Sequence, residues 1–315
     1  MGQRNNNNFC TIVTSSFVHY AQTLFESLKT NGDNFDFFVL VVDDGDLSCK
    51  VSDSIKLLKL KDLEAYDKSN FNIIEKYKTD IHQNLRYGLK PVLINYLLEE
   101  IGYDKTICID SDLFFYKSFD FLFDELNDNG VILTPHWRSS DPFVDENNFN
   151  LLLNGGLYNA GFVGASKKGI EAINWWAKAC SFKLEKDLSK GLFCDQTYLT
   201  VIPLYYNDVA CVIQHKGCNV SNWNMIECER GVKGEEVVIN EKWPVVFVHF
   251  TGSTIKGIVR GEDALLTSHL KNYFETLNKY SPNKNSVKKV EEEVFAYKKS
   301  PVYKLKQVVK KIIKE

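Results

Sequence analysis

Two aspartates one residue apart, Asp110 and Asp112, close a short apolar run at 107–109, and apolar residues resume at once with Leu113, Phe114 and Phe115. Carboxylates this close to buried strand ends are costly unless something neutralises them. A divalent cation would do so. Hard oxygen ligands suit Mg²⁺ or Mn²⁺, ions that sit between one or two carboxylates and the phosphates of a substrate. The segment KTICIDSDLFF (105–115) therefore predicts a metal–diphosphate site at the carboxyl end of a strand. A solvated turn after a strand has the same look, and Asp44-Gly45-Asp46 also matches the bare pattern. The surrounding elements have to decide.

Residues 9–13 read as a first strand, followed by Thr14, Ser15 and Ser16. Ala21, Leu24, Phe25 and Leu28 then recur at helical spacing within 18–28. A second buried strand over 35–42 ends at Asp43 and Asp44. A helical stretch at 60–77 leads to a helix expected over 90–101, with Pro91 in its first turn, and then to the strand that carries Asp110 and Asp112. Strands alternating with helices predict an α/β fold, a mostly parallel central sheet with flanking helices. Such sheets bind ligands at the carboxyl ends of their strands. Thr14, Asp43/Asp44 and Asp110/Asp112 all fall at such ends, which favours a site over a plain turn.

Further along, 131–134 reads as a strand, 139–150 as a polar loop and 158–165 as a strand containing Asn159, Gly161 and Gly164. Glycines in a strand mark close approach by a ligand or another backbone. A helix over 168–180 holds Trp175 and Trp176, which read as core residues. Asp195-Gln196 opens a helix-like run, and a late buried strand at 245–248 ends in His249-Phe250-Thr251-Gly252.

The 315 residues fit one large α/β domain or two smaller ones, and an apolar fraction of 44% with 25% charged residues is ordinary for a soluble globular protein. Twenty-one Phe and fifteen Tyr fit a large core. A net charge of −3 argues against nucleic acid as a partner. The charge is uneven: 281–315 holds ten Lys and four Glu, a net of +6, so the rest carries −9. That tail has Leu305, Val308, Val309, Ile312 and Ile313 at helical spacing with lysines off the stripe. It reads either as an amphipathic helix for an anionic membrane surface or as a helix packed on the body. Eight scattered cysteines without a CxxC pair read as buried thiols of a reducing compartment, and MGQRNNNN has no apolar signal core. The expectation is a cytoplasmic protein, peripheral on the inner face of the membrane if the first reading of the tail holds.

In order along the chain, TIVTSSFVHYAQTLFESL, FFVLVVDD, YGLKPVLINYLLE, KTICIDSDLFF, NAGFVGASK with WW behind it, GLFCDQTYL, CNVSNWNM and VVFVHFTG resemble the GT-A glycosyltransferases. The likeness is to family 8-like bacterial transferases of lipopolysaccharide and surface polysaccharide synthesis, and it spans 1–280. The resemblance implies a GT-A catalytic domain followed by the basic tail 281–315. It implies Mn²⁺ or Mg²⁺ held by Asp110, Asp112 and His249. Thr14 and Ser15 would lie under the nucleotide, Asp43 or Asp44 at its base or ribose, and Ser111 would also belong to the nucleotide-sugar site. Lys90 falls where relatives carry a basic residue for the diphosphate. Asp195 and Gln196 match a pair facing the donor sugar, and Asn159 would touch sugar hydroxyls. The family's lysine after His-x-x-Gly would fall at Ile255, whereas the lysine here is Lys256.

The resemblance thus implies a metal-dependent transferase that takes a sugar from a nucleotide-diphospho-sugar, UDP-linked in such relatives, to a saccharide or lipid-linked acceptor with retention. A sugar-1-phosphate nucleotidyltransferase fits less well, because TSSFVHY lacks the Gly-rich phosphate loop of that class. A non-catalytic sugar-nucleotide or glycan-binding protein with the same fold is the third reading.

Overall fold

The computed structural model describes residues 6–282, with Glu292 standing apart beyond them. The first strand, β1 (Asn7–Val13), is buried almost from end to end. Its side chains alternate between two cores: Cys10 and Ile12 point into one, Phe9 and Val13 into the other. Such a strand has to be covered on both faces, which explains its near-continuous apolar run.

Helix α1 (Val18–Asn31) carries the chain to β2 (Asp36–Val41), parallel to β1, and β3 (Ile55–Lys59) adds the sheet edge. Three helices follow, α2 (Leu60–Asn70), α3 (Ile73–Tyr77) and α4 (Asn84–Glu99), before β4 (Lys105–Ile109) pairs parallel with the other side of β1. The short β5 (Leu113–Phe115) then leaves the sheet. After α5 (Asp120–Asp128) come β6 (Val131–Pro135), α6 (Glu146–Asn154), β7 (Tyr158–Ser166) and α7 (Ile170–Phe182). A two-residue pair, β8 (Lys186–Asp187) and β9 (Leu192–Phe193), and α8 (Ile202–Tyr205) lead to β10 (Ala210–Val212).

The central sheet has the order β10-β6-β7-β4-β1-β2-β3, and within it β7 alone runs antiparallel to its neighbours. Leu89, Leu93 and Leu97 of α4 and Ile173, Trp176 and Cys180 of α7 fill the core on one face. On the other face, Leu24 and Leu28 of α1 pack with Leu122 and Leu126 of α5. Phe9 meets Phe35, Phe115, Phe119 and Phe123 edge-on at 5.0 to 5.9 Å between ring centres, so much of the phenylalanine content is core. A third cluster belongs to the last part of the chain. That part forms the small sheet β11 (Arg230–Lys233), β12 (Glu236–Ile239) and β13 (Trp243–Pro244), then β14 (Phe247–His249), α9 (Gly252–Arg260) and α10 (Thr267–Tyr280), and Ile239, Val248, Ile258 and Tyr273 from it pack in the cluster with Phe114 of β5.

Two expectations need correction. Helix α4 begins at Asn84, not Lys90, so Pro91 lies inside it. Proline there forgoes the bond to the Tyr87 carbonyl, a cost that burial of Leu85 and Leu89 against the core outweighs. Lys90 is therefore a buried mid-helix residue and not a solvated helix start. The polar loop expected over 139–150 is shortened by α6, which Asp145 caps by accepting from the Asn148 amide at 3.0 Å. All eight cysteines are free thiols, six buried and two half-buried. No described helix is long and apolar enough to cross a membrane. The basic tail lies outside the described residues, apart from Ser281, Pro282 and Glu292.

Trp176 is fully buried, and its indole N–H donates to the Asp195 carbonyl at 2.9 Å. Trp176→Phe removes that donor and some volume, leaving a buried carbonyl without a partner. Urea denaturation is expected to show a loss of about 2 kcal/mol. An unchanged midpoint would mean that the bond does not hold Asp195 in place.

Candidate active site

Asp110 follows β4 directly, and its amide donates to the Gly161 carbonyl at 2.9 Å. The chain turns through Ser111 and Asp112 into β5, which pairs antiparallel with β14 so that Leu113 faces His249. This ribbon closes the long sequence gap between the two aspartates and the histidine. The Phe250 amide adds a bond to the Asp112 carbonyl at 2.9 Å. His249 Nε2 lies 3.0 Å from Asp112 Oδ1 and 4.0 Å from Asp110 Oδ2.

On the other side of the ring, Nδ1 meets Asn219 Oδ1 at 3.2 Å, and the Asn219 amide donates to Thr134 Oγ1 at 3.1 Å. That arrangement assigns the Nδ1 proton to the Asn219 bond and turns Nε2 toward the aspartates. Burial pulls the His249 pKa down, but Asp112 and Asp110 outweigh it and hold it above the ordinary value. Burial pushes Asp112 up, and His249 more than offsets this, holding its carboxyl below the usual range.

Asp110, Asp112 and His249 each offer one ligand atom, all within 4.8 Å of one another. Two carboxylates and an imidazole suit a hard or borderline divalent ion. The site fits such an ion in a second way. A Cβ added at Gly161 would lie 2.6 Å from Asn159 Oδ1, 2.7 Å from His249 Cε1 and 2.8 Å from Asp110 Oδ2. Only glycine lets the strand pass beneath these three groups. Gly164 plays a different part, because a Cβ there would meet Ile132 and Ile107 in the core.

Lys90 is the second cation. Its Nζ lies 2.8 Å from Asp110 Oδ1 and 3.7 Å from Asp195 Oδ2, and it donates to the Ala160 carbonyl at 2.9 Å. Burial disfavours its charge, but the two carboxylates outweigh that and raise its pKa above the ordinary lysine value. Asp195 is pushed up to about 6, chiefly by burial, with Lys90 pulling the other way and Asp110 adding to the rise. Its Oδ2 has no hydrogen-bond partner among the described residues. Gln196 donates to the Gly155 carbonyl at 2.6 Å and accepts from the Ala160 amide at 3.4 Å. Asn159 accepts from the Gly161 amide at 2.8 Å and donates to His136 Nε2 at 3.1 Å. His136 Nδ1 faces the Gly156 carbonyl at 3.0 Å, and burial lowers its pKa to about 3, so it is neutral.

Lys90, Asp110, Asp112, Asn159, Asp195, Gln196 and His249 share one pocket of about 360 Å³. The other expected residues lie outside its lining. Thr14 and Ser15 follow β1, and the Ser15 amide and hydroxyl donate to the Asp43 carboxylate at 2.6 and 2.7 Å, with Asp44 exposed beside them. They share the carboxyl edge of the sheet with Asp110, because β1, β2 and β4 run parallel. Ser111 sits in the turn between the aspartates. On α9, Ile255 packs inward against the third core and Lys256 is exposed, one residue and about 100° further round the helix. The pocket also holds residues that the sequence pattern does not single out: Tyr87, His136, Arg138, Lys186 and Trp223. His136 and Arg138 follow the carboxyl end of the parallel strand β6, so the strand-end rule, applied there too, would have found them.

No known protein-family model matches the chain. Two proteins of Bacillus subtilis (strain 168) are similar to it. The uncharacterized protein YfnF is 25% identical over 253 residues, 79% of this chain and 82% of its own, and the uncharacterized protein YfnD is 25% identical over 252 residues, 78% of each. Among solved structures, the galactosyltransferase LgtC in complex with donor and acceptor sugar analogs aligns with a TM-score of 0.50 at 14% identity, over 87% of this chain and 96% of that one. This likeness, with the sheet order above, gives the chain a GT-A fold.

Two outcomes are expected from the geometry. Gly161→Ala is expected to weaken Mn²⁺ binding, read by calorimetry, about tenfold or more, because the new methyl displaces groups around the cluster; unchanged affinity would place the ion elsewhere. Lys90→Met leaves Asp110 and Asp195 uncompensated. A buried carboxyl with a raised pKa takes up a proton on folding, so its contribution to stability falls as pH rises through that value. The variant is expected to lose ~3 kcal/mol or more at pH 8 and less at pH 5. Equal losses at both pH values would show that Lys90 is not coupled to Asp195.

Proposed function

We propose that this chain is a metal-dependent glycosyltransferase that moves a sugar from a nucleotide-diphospho-sugar, a UDP-sugar by resemblance, to a saccharide or lipid-linked acceptor. The observation that carries the reading is the meeting of Asp110, Asp112 and His249 with Lys90 in one pocket at the carboxyl edge of a GT-A sheet. When bound at Asp110, Asp112 and His249, Mn²⁺ or Mg²⁺ supplies Lewis-acid neutralisation of the diphosphate leaving group.

The chain's own residues do the rest. Lys90, fixed beside Asp110, sets a permanent positive charge where negative charge grows as the bond to the anomeric carbon breaks. Asp195 lines the pocket with an Oδ2 that makes no hydrogen bond among the described residues and lies 3.7 Å from Lys90 Nζ, able to accept from a sugar hydroxyl or to oppose positive charge developing on the ring. Gln196 and Asn159, held by backbone bonds, present their amides beside it. Thr14, Ser15, Asp43, Asp44 and Ser111 would cradle the nucleotide along the same sheet edge, with Lys256 reaching the phosphates from α9. Retention at the anomeric carbon, a cytoplasmic location and an anionic membrane surface for 281–315 belong to the same proposal, on the resemblance and the tail's composition.

Calorimetry of UDP with and without Mn²⁺, and hydrolysis of a panel of UDP-sugars, test it. UDP binding is expected to need the metal and to vanish in Asp112→Asn. Asp110→Asn is expected to lower donor hydrolysis about 100-fold or more while keeping the native circular dichroism spectrum. Full activity in a metal-stripped, folded Asp110→Asn protein would sink the metal role. Tight metal-dependent UDP binding with no turnover of any donor would point to a binding protein instead.

A further inference from the structure

Two donors on one wall of the pocket have nothing to donate to. Arg138, just beyond β6, makes one hydrogen bond among the described residues, from Nη1 to the neutral amide oxygen of Asn148 at 2.7 Å. Its Nε is buried without a partner. The Trp223 indole Nε1 is buried without a partner as well, although such groups ordinarily find one. The two side chains form one surface: Arg138 Cζ lies 5.9 Å from the centre of the Trp223 ring. That ring stands edge-on to both His249 and His136, at 5.3 and 5.6 Å between centres. Lys186, over the Phe193 ring at 4.7 Å, adds a second positive charge to the same pocket.

The balance of charge is uneven across the cavity. Asp110, Asp112 and Asp195 face Lys90 and His249, so those cations are already matched. The half-buried Arg138 guanidinium bonds no carboxylate directly among the described residues; burial disfavours its charge, while Asp145, which accepts from the same Asn148 amide at 2.7 Å, favours it from behind that amide. A planar fork of donors beside an aromatic face suits a carboxylate or phosphate carried on a sugar ring.

We infer that the Arg138–Trp223 wall receives an anionic group, a carboxylate or a phosphate, on the acceptor saccharide. This rests on the sugar-nucleotide reading above. A donor sugar set against Asp195 and Gln196 occupies the Lys90 side, and the Trp223 side, beyond His249, is left to the second substrate. Trp223 stacks the acceptor ring, and Arg138 fixes its charged substituent.

The test begins by titrating UDP into the protein with Mn²⁺. The loaded protein is then titrated with methyl glucuronide, with glucose 6-phosphate and with methyl glucoside as the neutral control. One of the two anions is expected to bind about tenfold or more tighter than the control. A carboxylate that wins assigns a uronate-type acceptor, and a phosphate that wins assigns a phosphorylated one. Arg138→Met is expected to abolish the advantage. Trp223→Phe, which keeps a ring and loses the N–H, is expected to reduce it, and it serves should the arginine variant fail to fold.

Equal affinities, no detectable binding of any of the three, or an advantage that survives Arg138→Met would each overturn the inference. A tenfold preference for UDP-glucuronate over UDP-glucose, without one among the glycosides, would assign the anion to the donor and overturn it too. The first titration separates two kinds of failure. Absent UDP binding faults the sugar-nucleotide reading and this inference with it, whereas normal UDP binding without an anion advantage faults the inference alone.

Discussion

Three carboxylates crowd the end of one sheet. Asp112 and Asp195 lie where desolvation disfavours their charge, and the Asp110 carboxylate adds to the cost at Asp195. Two cations from distant parts of the chain make the arrangement stable, Lys90 from inside α4 and His249 from the end of β14. This balance ties the architecture together. Helix α4 must lie across the sheet face to bring Lys90 to Asp110, and β14 must pair with β5 to bring His249 to Asp112.

The supports behind these residues are fixed in turn. Asn219 orients the His249 ring and is itself anchored to Thr134 at the end of β6. The loop after Asn219 is gathered by Arg230, which donates to the Ser221 carbonyl at 2.7 Å and the Asn224 carbonyl at 3.2 Å and pairs with Asp263 at 3.1 Å. One buried guanidinium thus sets the shape of the loop that carries Trp223. On the far wall, Trp176 of α7 holds the Asp195 backbone from below. The pocket is framed by groups whose own partners are fixed, the condition for holding charges in place while a substrate exchanges.

Much of this was legible in the sequence, for identifiable reasons. Aspartates and a histidine directly after buried strands are conspicuous, because burial makes them costly, and alternating strands and helices pointed to the parallel sheet. The reversal of β7 left no such mark. Its amino end, not its carboxyl end, reaches the site, which is why Asn159 and Gly161 stand at the start of a strand and still face Asp110. Lys90 was misplaced because Pro91 reads as a helix beginning, and only tertiary burial reveals that the helix starts a turn and a half earlier. Arg138 and Trp223 are ordinary residue types in ordinary contexts. What singles them out is the lack of a partner, a property of three-dimensional packing.

The β5–β14 ribbon has a consequence for how the protein is made. Synthesis runs from the amino end, and the two aspartates leave the ribosome well over a hundred residues before His249. In that interval Asp112 has no imidazole, whereas Asp110 can already meet Lys90, only twenty positions earlier in the chain. The lysine contact is the more local one and the histidine contact closes a much longer loop, so the first can form co-translationally while the second waits for the carboxyl-terminal third to dock. Lys90 is thus the counter-charge that sequence proximity makes available first.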